Sequence, residues 1–407
     1  MAHFVIVGGG LAAGAAVERL RKEGFDGDVT VVAAEHHPPY QRPPLSKGYL
    51  EGKEGPDAVI LHPAEWYAEG GVELRTGTTA VGLDPAAHRL ALEDGGSLAY
   101  DALLLATGSS PRRLPIEGAE LEGVRTLRTL DDSDALAAEL RAGGRRLVLI
   151  GSGWIGMEVA ATARTLGNHV TVLERGPVPL AAAVGAEMGA VFRDLHLEHG
   201  VDLRASVGVD RITGSTHVEG VVADGEEVPA DLVVVGVGAT PNTALAEEAG
   251  IRVEGGILTS AALRTDAPDV YAAGDVANAY HPVIQRHLRS EHWDNAKKAG
   301  AVAARSMLGI DASHSSIPYF YTDQFDLSME LSGYAPLMQD AQVVTRGDVG
   351  AREFIAFWHD GKRVVGAMNV NVSDVQGHLK KLIRDAPAVT VERLRDPSVP
   401  LEELAAS

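Results

Sequence analysis

The sequence predicts an α/β protein with two similar domains of doubly wound parallel sheet and a smaller C-terminal α+β domain. Two stretches align without a gap, Asp94 to Arg112 ("DGGSLAYDALLLATGSSPR") and Asp224 to Asn242 ("DGEEVPADLVVVGVGATPN"). The strand-like runs in both halves are rich in valine and almost continuously apolar, as parallel strands buried on both faces are. The chain has 407 residues, which is too long for one hydrophobic core. We therefore expect one domain plan to occur twice.

Each copy of the plan begins with a strand, a glycine-rich turn and a helix. These stretches are "FVIVGGGLAAGAA" from Phe4 and "VLIGSGWIGMEVA" from Val148. The next strands are predicted at Asp28 to Glu35 and at His169 to Glu174, and each ends in an acid. A further strand, Asp269 to Ala277, follows the second copy and has no partner inside it. This order predicts β-α-β units with right-handed crossovers.

The C-terminal part has a different pattern of strand-like and helix-like segments. Ala351 to Val370 contains two strand-like runs on either side of "HDGK", where Asp-Gly favours a hairpin. A helix-like tail with Leu379, Leu382 and Ile383 follows. We expect a third domain from about residue 321.

The composition limits the chemistry. The chain contains no cysteine, which excludes disulfides, thiolate nucleophiles and iron–sulfur ligation by the protein. Any electron transfer must then use a bound organic cofactor. The net charge of -20 opposes a role in binding nucleic acid, because phosphate binding depends on clustered Lys and Arg.

Neither a membrane span nor a metal site is expected. No apolar run approaches the roughly 20 residues that a membrane helix needs. The first residues lead straight into a strand pattern, which favours a cytoplasmic protein. His196 and His199 share a helix face in a charged stretch, and we expect both to be solvated surface residues.

The turn of the second copy has the spacing of a dinucleotide-binding site. Gly151, Gly153 and Gly156 follow a strand and precede a helix, where glycines allow the backbone to approach a pyrophosphate at the helix N-terminus. Glu174 ends the next strand, where a carboxylate accepts hydrogen bonds from an adenosine ribose. A carboxylate repels a 2′-phosphate, so NADH is favoured over NADPH, although Arg175 beside it weakens that preference.

The first turn has the same pattern with alanine in the third place. Gly8, Gly10 and Ala13 form the turn and Glu35 is the acid. Alanine is an accepted variant because the third position serves helix packing. Two dinucleotide sites without cysteine suggest a relay from a hydride donor to a flavin. Asp275 ends a strand-and-glycine stretch and could bond the ribityl hydroxyls of FAD, or equally cap a loop.

Five motifs in order give the chain a specific resemblance. They are "YQRPPLSK" (40–47), "ATGSSPR" (106–112), "GSGWIGMEVA" (151–160), "YAAGD" (271–275) and "EHWDNAKKAG" (291–300). Together they resemble the FAD-dependent NADH:ferredoxin reductases of bacterial oxygenase systems, the family of putidaredoxin reductase and apoptosis-inducing factor. The resemblance implies an FAD-binding domain in two segments, an inserted NADH-binding domain and a C-terminal interface domain. The corresponding ranges are 1–112 and 241–320, 113–240, and 321–407.

The resemblance implies two catalytic residues. Lys47 would lie near the reactive face of the flavin and pair with Glu158. An ammonium there stabilises the anionic reduced ring, and Glu158 can hold Lys47 in position. Glu158 could instead be a favourable acid in the first turn of a helix, and Lys47 a solvated surface residue.

Further cofactor contacts follow from the same resemblance. Arg42 and Arg112 would bind phosphate or ribityl groups of FAD, and Thr107 and Gly108 would approach it through the backbone. Trp293 would lie by the flavin ring and Glu291 by the nicotinamide amide, although core packing is the commoner role of a Trp. Ala106, Ile155 and Gly238 complete the implied cofactor-binding residues. The chain departs from many relatives in having Tyr321-Thr-Asp-Gln in place of Trp-Ser-Asp-Gln.

The implied function is electron transfer from NADH through FAD to a [2Fe-2S] ferredoxin that supplies an oxygenase. Such ferredoxins are usually acidic, and four cations flank Trp293: Arg286, Arg289, Lys297 and Lys298. They could steer the partner or could form a solvated helix face. The alternatives are an NADH-sensing flavoprotein like apoptosis-inducing factor, which acts through shape and binding, and an NADH oxidase or quinone reductase. The sequence leaves the oligomeric state open.

Overall fold

A computed structural model describes residues 1–404 as two compact units, each built from separate segments of the chain. The first unit comprises 1–42, 56–110 and 239–316. The second comprises 43–55, 111–238 and 317–407, of which 405–407 lie outside the described residues. Among residues 1–404, no helix combines the length and the apolar character needed to cross a bilayer.

The first unit is centred on a five-stranded parallel sheet. Most positions of its strands are apolar, and four of the five strands are buried along nearly their whole length. In the edge strand Val72–Arg75 only Val72 is buried. Its strands in spatial order are Val270–Ala272, Ala102–Leu105, His3–Val7, Asp28–Val32 and Val72–Arg75. The strand Val270–Ala272, which had no partner in the second copy, therefore pairs with Ala102–Leu105 of the first copy.

Helices and smaller sheets surround this central sheet. The helices are Leu11–Lys22, Pro56–Val59, Ala64–Glu69, Ala244–Glu248 and Trp293–Met307. One small sheet is formed by Ala80–Asp84, Arg89–Leu92 and Ser97–Ala99, and another by Ile257–Thr259, Ala277–His281 and Arg286–Leu288.

The second unit repeats the parallel sheet. Its spatial order is Asp202–Ala205, His169–Glu174, Arg146–Ile150, Leu232–Val235 and Val124–Arg125. The main helices of this part are Leu130–Leu140, Trp154–Thr165 and Ala181–Glu198, and an antiparallel sheet is formed by Val209–Gly214, Val218–Ala223 and Glu226–Pro229.

The C-terminal part of the second unit is an antiparallel sheet with helices. The predicted hairpin is present, because Glu353–His359 pairs with Val364–Val370. The full spatial order is Tyr319–Gln324, Leu327–Gly333, Val364–Val370, Glu353–His359 and Gln342–Asp348. The helices are Ala335–Met338, Gln376–Asp385, Val391–Arg395 and Leu401–Leu404. The predicted fold class, two parallel-sheet plans and a C-terminal α+β part, is confirmed.

A short segment, 43–55, belongs to the second unit although it is flanked by parts of the first. It forms the 3₁₀ turn Pro43–Ser46 and the helical turn Gly48–Glu51. The hydroxyl of Ser133 donates to the carbonyl of Leu45 at 2.8 Å, and Arg141 donates to two further carbonyls of the segment. These bonds hold it against the helix Leu130–Leu140.

The expectation of a solvated side chain is wrong for His196, which lies on the helix Ala181–Glu198; His199, just after the helix, is partly exposed. His196 is fully buried, and the ring of His199 stacks on Phe325 with centroids 3.9 Å apart. The reason is spacing: His196 lies four residues after Phe192, on the same buried helix face. Burial lowers the pKa of His196 to about 4, so the ring is neutral at pH 7.

Close packing of two helices in the first unit gives a stability prediction. A Cβ added at Gly300 would lie 2.2 Å from the carbonyl oxygen of Ala12, so the helices Leu11–Lys22 and Trp293–Met307 would have to separate. We expect Gly300→Ala to lower the free energy of unfolding by about 1–3 kcal/mol, measured by chemical denaturation. Gly377→Ala is the control, because an added Cβ there meets nothing within 4 Å. Equal stability of the two variants would contradict the packing argument.

Candidate functional site: two glycine turns and a buried Lys–Glu pair

The glycine turn of the first unit leaves room for a ligand at the start of a helix. Gly8 has φ +122°, and a Cβ there would lie 2.1 Å from the carbonyl oxygen of Ala106. Gly10, by contrast, has nothing within 4 Å of an added Cβ, and as N-cap of the helix Leu11–Lys22 it offers no side-chain acceptor. No side chain therefore accepts hydrogen bonds from the N–H groups of the first helical turn. The oxygens of a phosphate group could accept them instead. Ala13 is buried, consistent with a packing role.

Glu35 is held by two neighbouring side chains. Tyr40 donates its hydroxyl to one carboxylate oxygen, and the Arg42 guanidinium pairs with the other at 2.7 Å. Arg42 also lies over the Tyr40 ring at 5.0 Å. Glu35, the acid predicted for the first turn, and Arg42, predicted to bind phosphate or ribityl groups, therefore lie side by side.

The loop after strand Ala102–Leu105 meets two other parts of the first unit. Thr107 and Asn242 exchange hydrogen bonds at 2.8 and 2.9 Å. Ser109 donates to the carboxylate of Asp275 at 3.2 Å. Gly108, with φ +67°, adopts a left-handed conformation that favours glycine. The predicted backbone contacts and the predicted ribityl acceptor thus lie on connected loops.

Trp293 begins the helix Trp293–Met307. Its indole N–H donates to Gln41 at 2.8 Å, and the Lys297 ammonium lies 5.1 Å from the ring centroid. Trp293 is half-buried and carries a cation on its face. Its contact with the flavin ring stays a prediction. Glu291 pairs with Arg289.

Two of the four cations around Trp293 are neutralised by acids. Arg289 pairs with Glu291, and Lys298 pairs with Asp294 at 2.7 Å. Arg286 and Lys297 are exposed, and neither forms an ion pair within residues 1–404. The positive patch predicted from the sequence is thus reduced to these two side chains.

The glycine turn of the second unit resembles the first, but its third position is a glycine with no room for a side chain. Gly151 has φ +97°, and a Cβ there would lie 2.6 Å from the carbonyl oxygen of Gly236. Gly153 has only one distant neighbour, at 3.9 Å, and offers no side-chain cap to the helix Trp154–Thr165. A Cβ at Gly156 would lie 2.5 Å from the carbonyl oxygen of Gly151. This turn also fits a pyrophosphate.

Glu174 closes the turn from the neighbouring strand. Its carboxylate accepts hydrogen bonds from the backbone N–H of Ser152 at 2.9 Å, from the Ser152 hydroxyl and from the N–H of Gly176. Arg175 is exposed. The carboxylate thus lies at the turn, where a ribose would meet it.

The remaining residues predicted for NADH or FAD also belong to the second unit. Ile155, in the first turn of the helix Trp154–Thr165, has 44% of its surface exposed, which is unusual for an isoleucine and fits contact with a ligand. The Arg112 N–H donates to the carbonyl of Gly238 at 2.9 Å.

A buried ion pair joins the segment 43–55 to the same helix. The Lys47 ammonium lies 2.8 Å from Glu158, whose side chain is only 3% exposed. Lys47 also donates to the carbonyl of Pro43 at 3.1 Å. Glu158 is therefore not simply a favourable acid in the first turn of a helix, because it is in the interior. Lys47 is not a solvated surface residue, because it is mostly buried. Whether the pair is catalytic stays a prediction.

Two hydroxyls that bind Glu158 were missed in the sequence. Ser46 donates to the oxygen shared with Lys47, and Thr322 donates to the other oxygen at 2.6 Å. Ser46 directly precedes Lys47 in the motif "YQRPPLSK", and Thr322 belongs to Tyr321-Thr-Asp-Gln, where the relatives' serine also carries a hydroxyl. The hydroxyl shared by this chain and its relatives was the one feature of the sequence that could have indicated this hydrogen bond to Glu158.

Tyr321 also lies beside Lys47. The ammonium is 5.6 Å from its ring centroid. Burial, together with the nearby charge of Glu158, raises the pKa of Tyr321 to about 12, so the phenol is neutral at pH 7. The substitution of the relatives' tryptophan by tyrosine thus keeps an aromatic face beside Lys47. Within residues 1–404, no three His, Asp or Glu side chains gather in a way that could hold a metal ion.

Comparison with known proteins identifies the family of the chain. The model of the pyridine nucleotide-disulphide oxidoreductase family matches residues 2–300, and the model of the reductase C-terminal domain matches 319–405. The chain belongs to the pyridine nucleotide-disulphide oxidoreductase family. The resemblance stated from the motifs is confirmed, as are the assignment as an oxidoreductase and the cofactors FAD and NADH.

Several relatives that match the chain over nearly its whole length are reductases by name. The ferredoxin--NAD(+) reductase component of the anthranilate 1,2-dioxygenase system of Burkholderia cepacia is 36% identical, with 98% of each chain covered. Putidaredoxin reductase of Pseudomonas putida is 34% identical, with 100% of this chain and 97% of that protein covered. The covalent putidaredoxin reductase–putidaredoxin complex contains a chain with TM-score 0.95 and 33% identity, covering 100% of this chain and 98% of that one.

The position of Glu174 gives a prediction about cofactor choice. Glu174→Gln keeps an oxygen that can accept from Ser152 but removes the charge that repels a 2′-phosphate. We expect the preference for NADH over NADPH, measured as the ratio of kcat/KM values, to fall about five- to tenfold. Glu187→Gln, an exposed change of the same kind, is the control. An unchanged ratio in Glu174→Gln would remove Glu174 from cofactor discrimination.

Proposed function

We propose that this protein is an NADH-dependent ferredoxin reductase that supplies electrons to an oxygenase. The observation that carries the proposal is the presence of two glycine turns, each without a side-chain cap, in a chain that has no cysteine. A chain with two dinucleotide sites and no thiol pair must pass electrons out through a flavin. Because NADH is the donor, we place the protein in the cytoplasm.

The first unit would hold FAD. Gly8 and Gly10 would bring the backbone to the pyrophosphate, Glu35 would meet the adenosine ribose, Arg42 beside it would bind phosphate or ribityl groups, and Asp275 would accept from ribityl hydroxyls. Ala106, Thr107 and Gly108 line the cofactor with backbone. When bound, FAD supplies the ability to take a hydride and to release electrons singly. Each NADH then reduces two one-electron ferredoxins and releases one proton.

The second unit would hold NADH. Gly151, Gly153 and Gly156 bind its pyrophosphate, and Glu174 binds its adenosine ribose. Lys47 would place a positive charge where negative charge develops on hydride transfer, and Glu158 orients that charge. Burial of the pair strengthens the interaction, because little water competes with it.

The ferredoxin surface is proposed on the first unit. Trp293, with Lys297 over its ring and Arg286 nearby in the chain, combines an aromatic side chain and unpaired cations, which suit an acidic partner. Since Arg289 and Lys298 are neutralised, the attraction rests on Arg286 and Lys297.

The proposal is tested by NADH-driven reduction of a [2Fe-2S] ferredoxin, coupled to cytochrome c, with ferricyanide as the control for flavin reduction. We expect fast turnover that depends on ferredoxin. Ferricyanide activity without ferredoxin activity would favour a quinone reductase or an oxidase. Slow rates with both acceptors and a long-lived charge-transfer band would favour the alternative of an NADH-sensing flavoprotein that acts through shape and binding.

The proposed surface gives a charge-reversal prediction. Lys297→Glu should lower kcat/KM for ferredoxin about tenfold at low salt and much less at high salt, because exposed charges are screened. Ferricyanide reduction should be unchanged. Lys22→Glu, an exposed charge reversal elsewhere in the first unit, is the control. Equal effects of the two variants would exclude docking at Lys297.

A further inference from the structure

A row of buried polar side chains leads from Glu158 to the helix Ala181–Glu198. Thr322 donates to Glu158 at 2.6 Å, the Gln324 amide nitrogen lies 3.1 Å from the Thr322 hydroxyl, and His196 Nε2 lies 2.9 Å from the Gln324 amide oxygen. All four side chains are buried, with 2% or less of each residue exposed. Burying polar side chains is costly unless they bond to one another, so the hydrogen bonds that link these four side chains are expected to be specific.

The chemistry of each group fixes the direction of every bond in the row. A carboxylate only accepts, so the single hydroxyl proton of Thr322 points at Glu158. The hydroxyl oxygen must then accept from the Gln324 NH₂ group, which turns the amide oxygen of Gln324 towards His196. An amide oxygen carries no proton, so His196 must donate from Nε2.

His196 has the protonation state that this direction requires. Burial lowers its pKa to about 4, so at pH 7 the ring carries one proton. That proton lies on Nε2, and Nδ1, a buried atom with no hydrogen-bond partner in the described part of the chain, carries none. The unsatisfied Nδ1 is the cost of pointing the other nitrogen at Gln324.

We propose that Thr322, Gln324 and His196 are positioning residues that fix the orientation of the Glu158 carboxylate towards Lys47. The proposal rests on the proposed role of the Lys47–Glu158 pair. Thr322 occupies one carboxylate oxygen, so the other is left for Ser46 and Lys47. All three bonds of the row point towards the negative charge, so neutral dipoles stabilise it without a second cation that would compete with Lys47.

The row also explains why a histidine lies on a buried helix face. Phenylalanine or leucine would pack there at less cost, but neither donates a hydrogen bond. Without a donor, the Gln324 amide would be free to turn over and present its oxygen to Thr322. The Thr322 proton would then have two acceptors, and Glu158 would lose its fixed partner in part of the molecules.

The first test is the tautomer of His196 in the wild-type holoprotein. Nitrogen-15 NMR of histidine-labelled protein distinguishes the neutral tautomers, and the His196 signal is assigned by its loss in His196→Asn. We expect a neutral ring protonated on Nε2 from pH 6 to pH 8. A ring protonated on Nδ1, or on both nitrogens, would overturn the proposal. This readout does not depend on activity, so it stands even if the protein does not reduce ferredoxin.

The second test separates positioning from packing. Thr322→Val keeps the shape of the side chain and removes the hydroxyl, while Thr322→Ser keeps the hydroxyl. In anaerobic stopped-flow measurements, Thr322→Val should lower the limiting rate constant of flavin reduction by NADH about tenfold and change the Kd for NADH less than twofold. Thr322→Ser should recover it to within about threefold of wild type. Equal rate constants for the two variants, or a loss confined to NADH binding, would overturn the proposal.

Discussion

The carboxylate of Glu158 is the point at which three separate segments of the second unit meet. Ser46 and Lys47 come from the segment 43–55, Glu158 from the helix Trp154–Thr165, and Thr322 from the first strand of the C-terminal sheet. A buried carboxylate costs several kcal/mol unless its oxygens are paired. The segment 43–55 and the C-terminal sheet must therefore be in place before the charge is tolerated, which ties the fold of this unit to the geometry of its proposed catalytic pair.

The two glycine turns show how one pattern is realised by two different contacts. In both, the first glycine has a positive φ and a carbonyl oxygen too close for a side chain, and the second faces open space. The third position differs: Gly156 lies against the carbonyl of Gly151, while Ala13 buries its methyl group. What the two turns share is therefore the space for a phosphate and the uncapped helix that follows it.

Features that depend on neighbours in sequence were predictable. The repeat and the valine-rich runs predicted the sheets, and the strand at His169–Glu174 has the predicted ends. The strand from Asp28 ends at Val32, before the predicted Glu35, because the following residues turn into the loop that holds Glu35 beside Arg42. The repeat predicted no pairing partner for the strand that includes Val270–Ala272. Only the structure shows that this strand pairs with Ala102–Leu105 in the sheet of the first unit.

Features that depend on distant residues were not predictable. The bond from Thr322 to Glu158 spans 164 positions, and no local pattern marks it. The buried His196 was misjudged because the charged residues around it suggested a solvated face, although its four-residue spacing from Phe192 was visible. The Lys298–Asp294 pair could have been expected from its i,i+4 spacing. Domain ranges and the roles of the site residues stay predictions.

Lys47 and Glu158 are proposed to act as one functional unit. A double-mutant cycle with Lys47→Met and Glu158→Gln, read out as the rate constant of flavin reduction by NADH, measures this coupling. We expect each single change to lower the rate constant about tenfold or more, and the double variant to be no slower than the slower single one, a coupling of at least about 1.4 kcal/mol. Losses that multiply in the double variant would show that the two residues act independently and would contradict the account.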